Sequence, residues 1–182
     1  MTLPAHLTVG VATDEDAASI AAVRLAAARD LTARYGSGTW SFSLGSTDAV
    51  IAELRSSTIL VAREGGVLLG TLRLSTKNPW LGDIDFFTPS ERPIYLTSMA
   101  VAPTYQRQGV GRRLLEAAKR VAIDDLRGEA IRLDSYDAPA GAGEFYAKSG
   151  FRLARRGSYH GTPLLWFEWF SGYTGSTTDG HG

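Results

Sequence analysis

The sequence predicts an α+β fold in which helices cover a mixed sheet, and two observations carry that prediction. Strand-like runs occur as hairpins at two places, Thr58–Arg63 with Val67–Ser75 and Phe151–Tyr159 with Leu164–Phe170. A further pair of strand-like runs, Ile94–Val101 and Ala130–Ser135, is joined by a long segment of helical period.

Taken in order, Thr8–Ala12 reads as a short strand. Thr13 is a natural N-cap, and Asp14, Glu15 and Asp16 follow where acidic side chains suit a helix dipole. Ile20, Val23, Ala27 and Leu31 continue at helical spacing to about Tyr35, and the glycine-rich stretch Gly36–Gly45 breaks the helix. A second helix is expected over Thr47–Ser56. The first hairpin then turns at Glu64-Gly65-Gly66. After a loop with Pro79, Trp80, Asp83 and Asp85, the strand Ile94–Val101 ends at Pro103. Arg112–Arg127 carries an apolar stripe of Leu114, Leu115, Ala118, Val121, Ala122 and Leu126, with Gly128 as expected C-cap. A short helix, Ala140–Ser149, separates the strand Ala130–Ser135 from the closing hairpin.

Composition narrows the function classes. The chain has 182 residues, enough for a substantial core, and reads as one domain over residues 1–170 with a small, polar, glycine-rich tail at 171–182 expected to be flexible. Lys+Arg and Asp+Glu are both 19, so the overall charge favours neither nucleic acid nor an anionic membrane. With no cysteine, disulfides, thiolate metal sites and cysteine catalysis are excluded, and no metal site is expected. The N-terminal stretch lacks the basic and apolar regions of a signal peptide, and the longest apolar runs fall far short of the ~20 residues a membrane span needs. A cytoplasmic location is the default expectation.

The local charge tells more. Gln106–Arg113, QRQGVGRR, lies between a strand and a helix and sets Arg107, Arg112 and Arg113 around a helix N-terminus, itself partly positive. Cations gather there when an anion binds. Gly109 and Gly111 allow the close backbone approach that lets successive N–H groups point at it. A Walker loop is excluded because Gly-Lys-Ser/Thr is absent. A dinucleotide-binding turn fits poorly, since Leu114 stands at the third glycine position and seven residues separate Val101 from Gly109. Asp134, roughly where a ribose-binding acid would stand, is no more than an acid at a strand end.

Two longer segments carry a resemblance. YLTSMAVAPTYQRQGVGRRLLEAA, Tyr95–Ala118, resembles the central motif of the GCN5-related N-acetyltransferase (GNAT) family: a strand ending in V-x-P, Gln/Arg-x-x-Gly-x-Gly/Ala, then an amphipathic helix. GEFYAKSGFRL, Gly143–Leu153, with Ala142 before it, is similar to the family's A-x-x-F-Y-x-K-x-G-F signature. The likeness extends over roughly residues 7–170. It implies the GNAT fold, a mixed, mostly antiparallel sheet of about seven strands with helices on both faces, splayed beside the central strand. It also implies acetyl-CoA as acyl donor, with its pyrophosphate on the loop of Gln106, Arg107, Gln108, Gly109, Val110, Gly111 and Arg112, and its pantetheine arm edge-on to Met99, Ala100 and Val101.

Transfer to an amine needs a neutral nucleophile, a polarised carbonyl and a proton for the leaving thiolate. The resemblance nominates Tyr146 as proton donor, also in contact with the cofactor, and a backbone N–H near Met99 or Ala100 for the oxyanion. Adjacent helical residues diverge by about 100°, so Phe145 is expected inside and Tyr146 at the cleft. The general base is not readable: Ile94–Val101 holds no Asp, Glu or His, and Tyr95 stands where some relatives place a glutamate. Glu91, Asp85, Asp83, or water relayed by Ser98 or Thr97, remain candidates. Pro139 replaces an asparagine that often contacts the cofactor in relatives. The acceptor pocket is expected at Tyr35–Leu44, Trp80–Phe87 and Tyr159–Pro163, with Trp40, Phe42, Phe86 and Tyr159 as leading contacts and Trp80, Phe87 and His160 beside them. A small-molecule amine or a peptide N-terminus fits such a pocket, with Asp83 and Asp85 attracting the cation. Aromatic loops fit a homodimer interface equally. A non-catalytic acyl-CoA sensor or interaction module with the same fold is the alternative function.

Overall fold

The computed structural model describes residues 6–42, 45–82 and 84–172. The expectations for Leu44, Asp83, the side chain of Phe42 and the tail from 173 onward lie outside the described residues. The strands are β1 (Thr8–Val11), β2 (Thr58–Glu64), β3 (Val67–Ser75), β4 (Pro93–Val101), β5 (Ala130–Tyr136), β6 (Arg152–Tyr159) and β7 (Thr162–Phe170). The helices are α1 (Ala17–Tyr35), α2 (Thr47–Ser56), α3 (Val110–Asp124) and α4 (Gly143–Lys148).

The acidic start of α1 is a separate 3-10 turn, Asp14–Asp16. It is closed by the Asp16 N–H donating to the Thr13 carbonyl and the Thr13 N–H donating to the Asp16 carboxylate. Helix α2 spans the expected residues, with Ser46 Oγ accepting from the Ala49 N–H as an N-cap should. The β2–β3 turn uses Gly65 and Gly66 at φ of 54° and 83°.

Helix α3 begins two residues earlier than its apolar stripe suggested, so both arginines of the loop fall in its first turn. It also ends earlier, at Asp124. Arg127 takes the left-handed conformation instead of Gly128, at φ 55°. A Cβ at Gly128 would lie 2.4 Å from Ile94 Cγ1, so close packing rather than a left-handed cap requires the glycine there. Helix α4 is shorter than expected because a turn, closed by the Gly141 N–H donating to the Ala138 carbonyl, precedes it.

The sheet order is β1-β2-β3-β4-β5-β7-β6, antiparallel throughout except for the parallel β4–β5 pair. Helices α1 and α2 cover one face, where Ile20, Val23 and Val50 meet Ile59 and Val61. Helices α3 and α4 cover the other, where Leu114, Leu115 and Ala118 meet Leu60, Leu72, Ile94 and Leu133. An aromatic cluster of Trp80, Phe87, Tyr95, Leu164 and Trp166 forms a third packed region.

The β4–β5 pair fixes the site. It holds only from Pro93–Tyr95 against Ala130–Arg132, whereas β5 pairs with β7 along its whole length. From Leu96 onward β4 turns away from β5. The sheet is therefore splayed beside its central strand, and β4 presents an internal edge of backbone groups not bonded to β5.

Candidate active site

On its other side β4 is irregular as well. Thr71 pairs with Ala100 and Arg73 with Thr97, so Ser98 and Met99 together oppose Leu72 in a bulge. Ser98 has φ 53°, a left-handed backbone that costs a non-glycine residue about 1–3 kcal/mol unless its surroundings hold it. The bulge re-aims the peptide groups of Met99 and Ala100 at the point where the sheet opens.

Beyond β4, Ala102 leads into the 3-10 turn Pro103–Tyr105. The Gln106 side chain donates back to the Val101 carbonyl at 3.1 Å, and Gln108 donates to Thr104 at 2.8 Å, which fastens the loop to the strand end. Arg107 and Gly109 are both left-handed, at φ 61° and 83°. The Arg113 N–H donates to the Gly109 carbonyl at 3.1 Å. The N–H groups of Val110, Gly111 and Arg112, one turn ahead, therefore have no acceptor within the helix. A Cβ on Gly111 would sit 3.2 Å from Phe145 and 3.3 Å from Met99, so this glycine brings α3 against α4 and the bulge. Arg112 and Arg113 are exposed and both lean on Glu116. An anion at the helix start would meet free N–H groups, a glycine turn and nearby guanidiniums.

Where the sheet opens there is a cavity of about 270 Å³. One wall is α1, through Arg24, Ala27, Ala28 and Leu31, with Trp40 beside it. Residues Leu96–Ala100 of β4 and Asp134–Tyr136 of β5 form two more, and Ala140, Ala142 and Tyr146 close the far side. Tyr146 is thus buried and cavity-lining at once, while Phe145 is the half-buried one, the reverse of the burial expected for that pair. The Tyr146 hydroxyl donates to Met99 Sδ at 3.6 Å, a weak partner.

Three titratable groups meet here. Burial pushes the Asp134 carboxyl above its ordinary value, against hydrogen bonds from its own backbone and the Trp80 side chain. Burial also raises the Tyr146 phenol, and the Asp134 charge raises it further. Tyr136 is raised by burial, opposed by a hydrogen bond with Thr39 and assisted by Asp134. Thr97 Oγ1 is buried without a partner among the described residues. Arg24 gives Nη1 to Glu53 at 2.9 Å, while its Nε and Nη2 have no hydrogen-bond partner among the described residues.

A strand opening into a glycine-turned helix start, above a cavity closed by a tyrosine, fits the family the motifs resemble, and the sequence match agrees: residues 25–151 match the Acetyltransferase (GNAT) family. The chain belongs to the GNAT acetyltransferase family. No curated protein sequence matches it. Among solved structures, the paia N-acetyltransferase of Thermoplasma acidophilum, in complex with coenzyme A, is similar at TM-score 0.69 and 17% identity, over 90% of this chain and 98% of that one. A GCN5-related N-acetyltransferase of Rhodopseudomonas palustris is similar at TM-score 0.68 and 23% identity, over 93% and 99%. The protein yncA of Salmonella typhimurium, solved with acetyl-CoA, is similar at TM-score 0.66 and 19% identity, over 90% and 93%. At these identities the likeness concerns the fold.

In this GNAT acetyltransferase, the residues expected near the donor come together. Met99, Ala100 and Tyr146 line the cavity, and Val101 and Gln106–Arg112 continue from it to the helix start. The expected acceptor contacts divide. Trp40 lines the cavity, its ring edge-on to Tyr136 at 5.4 Å and its Nε1 donating to the Gly36 carbonyl. Phe86 packs on Phe87 and Trp166, away from the cavity lining. Tyr159 accepts the Leu81 N–H at its hydroxyl and meets the His160 ring edge-on. Trp80 and Phe87 are buried in the same aromatic cluster. Of the acids weighed as base, Asp85 and Glu91 are exposed and outside the cavity wall.

Arg24 and Asp134 are the charged residues of that wall; sequence reasoning passed over Arg24 and took Asp134 for no more than an acid at a strand end. Arg24 left a trace: it falls four residues after Ile20 and three before Ala27, a charge on the face α1 buries. Asp134 left none beyond its place near the end of a strand.

Proposed function

We propose that this protein transfers the acetyl group of acetyl-CoA to a primary amine, on a small molecule or a peptide N-terminus. The observation that carries the reading is the splay of β4 from β5, which runs an unpaired backbone edge from the cavity at Met99 to the free N–H groups at the start of α3. Acetyl-CoA, when bound, supplies an acetyl thioester whose carbonyl carbon accepts the amine.

The protein's own groups divide the remaining work. Val101, Ala100 and Met99 offer hydrogen bonds along the strand edge, as an added strand would receive them. The glycine turn and the Val110, Gly111 and Arg112 amides hold the pyrophosphate, and Arg107 and Arg112 add charge. At the bulge, the N–H of Met99 or Ala100 faces the oxygen on which negative charge grows. The incoming ammonium must lose one proton to become a nucleophile. Asp134 takes it, directly or through one water, because burial has made its carboxyl a better base than an exposed one. The new N–C bond forms, the C–S bond breaks, and the thiolate takes a proton from Tyr146, which recovers one from the nitrogen as the amide forms.

The Asp134–Tyr146 coupling favours that order. While Asp134 is charged it holds the phenol's proton tightly, and once neutral it no longer does. Tyr146 therefore becomes the better acid after the amine has been deprotonated.

Two measurements test the reading together. Acetyl-CoA at about 100 times Kd should stabilise the protein by roughly 2.7 kcal/mol. Gly109→Asp, which puts a Cβ and a negative charge at a left-handed residue beside the phosphate position, should abolish that shift. CoA release against an amine panel should show turnover. A shift unchanged in Gly109→Asp sinks the loop assignment. Tight acetyl-CoA binding without turnover on any amine supports the acyl-CoA sensor instead.

A further inference from the structure

Arg24 spends one edge of its guanidinium on the fold and keeps another free. Nη1 is held by Glu53 of α2 at 2.9 Å. Nε and Nη2 are the two nitrogens of the side-on fork, the geometry that grips a carboxylate with two parallel hydrogen bonds. Both are buried, and neither has an acceptor among the described residues. Leaving a buried donor unpaired is costly, most of all on a charged group, so such atoms call for an explanation. The residue is 7% exposed and belongs to the cavity wall. One turn further along α1, Ala27 and Ala28 line the same cavity with small side chains.

The other charge of the wall is Asp134 of β5. The cavity thus offers a cation on α1 and an acid on β5, with Leu31 and Trp40 as apolar surface. That pattern matches a ligand bearing both an amine and a carboxylate.

We propose that the acceptor is a small amine that also carries a carboxylate, in its simplest form a free amino acid, bound with its carboxylate on the Arg24 fork and its amine toward Asp134. This rests on the acetyltransferase reading and narrows it, because a peptide N-terminus has no carboxylate beside its amine. Glu53 holds Nη1 back and prevents the cavity from accumulating an uncompensated positive charge when no ligand is bound. The reaction balances as before: the N–C bond forms, the C–S bond breaks, CoA leaves as the thiol, and the carboxylate is unchanged.

The test compares three acceptors at saturating acetyl-CoA: free amino acids, their primary amides and their decarboxylated amines. For the wild type, kcat/KM should favour the carboxylate-bearing compound by about 10²-fold, since a site built to hydrogen-bond a group rejects analogues lacking it. Arg24→Lys keeps the charge and the Glu53 pair but lacks the fork. It should lose at least about tenfold of that preference through KM for the acceptor, with KM for acetyl-CoA unchanged. Glu53→Gln, which frees the guanidinium of its counter-charge, should lower KM for the carboxylate compound and leave the amide unaffected. This second variant decides the matter if Arg24→Lys fails to fold.

Equal use of the three acceptors by the wild type overturns the proposal, as does a preference undiminished in Arg24→Lys, and in either case amine acetylation still stands. If no amine is turned over, calorimetric titration of the same three compounds into the CoA-loaded protein decides. Binding that requires the carboxylate and is lost in Arg24→Lys supports the site, and indifference to the carboxylate overturns it.

Discussion

Arg132 on β5 and Arg24 on α1 are both almost fully buried, yet their guanidiniums meet different surroundings. Arg132 donates to the Thr88 carbonyl at 2.8 Å and to the Tyr95 hydroxyl at 3.4 Å, lies over the Phe87 ring, and faces Glu168 across the β5–β7 ladder. Glu168, 1% exposed, accepts from the Thr88 N–H, the Thr88 hydroxyl and Arg152. Among the described residues Arg132 leaves Nε alone without a partner. This network ties the β3–β4 loop to β5, β7 and β6. Among the described residues Arg24 has a single carboxylate partner and two idle donors, at a cavity. A charge that holds the fold is nearly saturated with partners, whereas a charge kept for a ligand retains capacity. Arg132 and Asp134 sit two residues apart on one face of β5, so the same strand serves both purposes.

Replacing one group on each side of this contrast should separate rate from stability. The largest effect is expected in the cavity. Tyr146→Phe keeps the ring and removes a hydroxyl whose one hydrogen bond is weak, so Tm and the Kd for acetyl-CoA should barely move. The kcat should fall by roughly 10²–10⁴-fold, the usual span of general acid catalysis. Burial and Asp134 hold the phenol above its ordinary value, so in the wild type its ionisation should place no alkaline limb on kcat below about pH 10. A Phe variant with normal kcat returns Tyr146 to the core. One that also loses acetyl-CoA binding makes it a cofactor contact.

Glu168→Ala should do the opposite. It strips the acceptor from Thr88 and Arg152 and leaves Arg132 facing no charge. Breaking a buried pair typically costs 3–5 kcal/mol, and roughly 3 kcal/mol is expected here because Arg152 is half exposed. Denaturant unfolding measures the loss. The Kd for acetyl-CoA of the folded protein should stay within about twofold, and a larger change would mean that the network also shapes the site.

The same contrast governs what could be read from residues alone. The donor side is continuous in sequence, from Met99 through Arg112, and each feature has a local cause: strand period, glycine turn, amphipathic stripe. The elements follow the same logic, and α2 begins and ends where its Ser46 cap and polar flanks place it. Features assembled from distant segments left weaker marks. Nothing in Thr97-Ser98-Met99 announces a left-handed serine, because the bulge is set by pairing with β3. Phe86, in a loop, and Tyr159, at the end of β6, suggested a pocket lining, but both pack into a small core with Trp80, Tyr95 and Trp166. Arg24 and Asp134 acquire meaning only when α1 and β5 meet across the cavity.

Asp134 offers a smaller test with a definite sign. Its folded-state carboxyl titrates above the ordinary 3.8, so the native state binds that proton more tightly than the unfolded chain does. The stability it contributes is complete below 3.8 and is lost as pH rises through the raised value. Asp134→Asn removes that loss. It should raise Tm by a few degrees at neutral pH, with the gain shrinking toward pH ~4, while kcat/KM for the amine falls. A variant less stable at neutral pH would show that Asp134 is stabilised as an anion and belongs with the saturated charges.

The smallest effect is expected where charge is most exposed. Arg112 lies 3.2 Å from Glu116 in an open i,i+4 pair, and Arg107 is exposed on a left-handed loop residue. Neither resembles Arg132 or Arg24, since water surrounds both and salt screens their attraction for a phosphate, with a Debye length of about 10 Å at 0.1 M and 3 Å at 1 M. Exposed pairs contribute about 0.2–1 kcal/mol, so Arg107→Ala or Arg112→Ala should weaken acetyl-CoA binding by less than about tenfold. The backbone amides of the turn, which the substitutions leave in place, retain the rest. The signature is the salt dependence: the loss should be clear at low ionic strength and nearly gone at about 1 M. Equal loss at both would mean that the aliphatic part of the side chain packs on the ligand. A loss far above tenfold would mean that the ligand buries the guanidinium, which would then join Arg24 as a charge held in reserve.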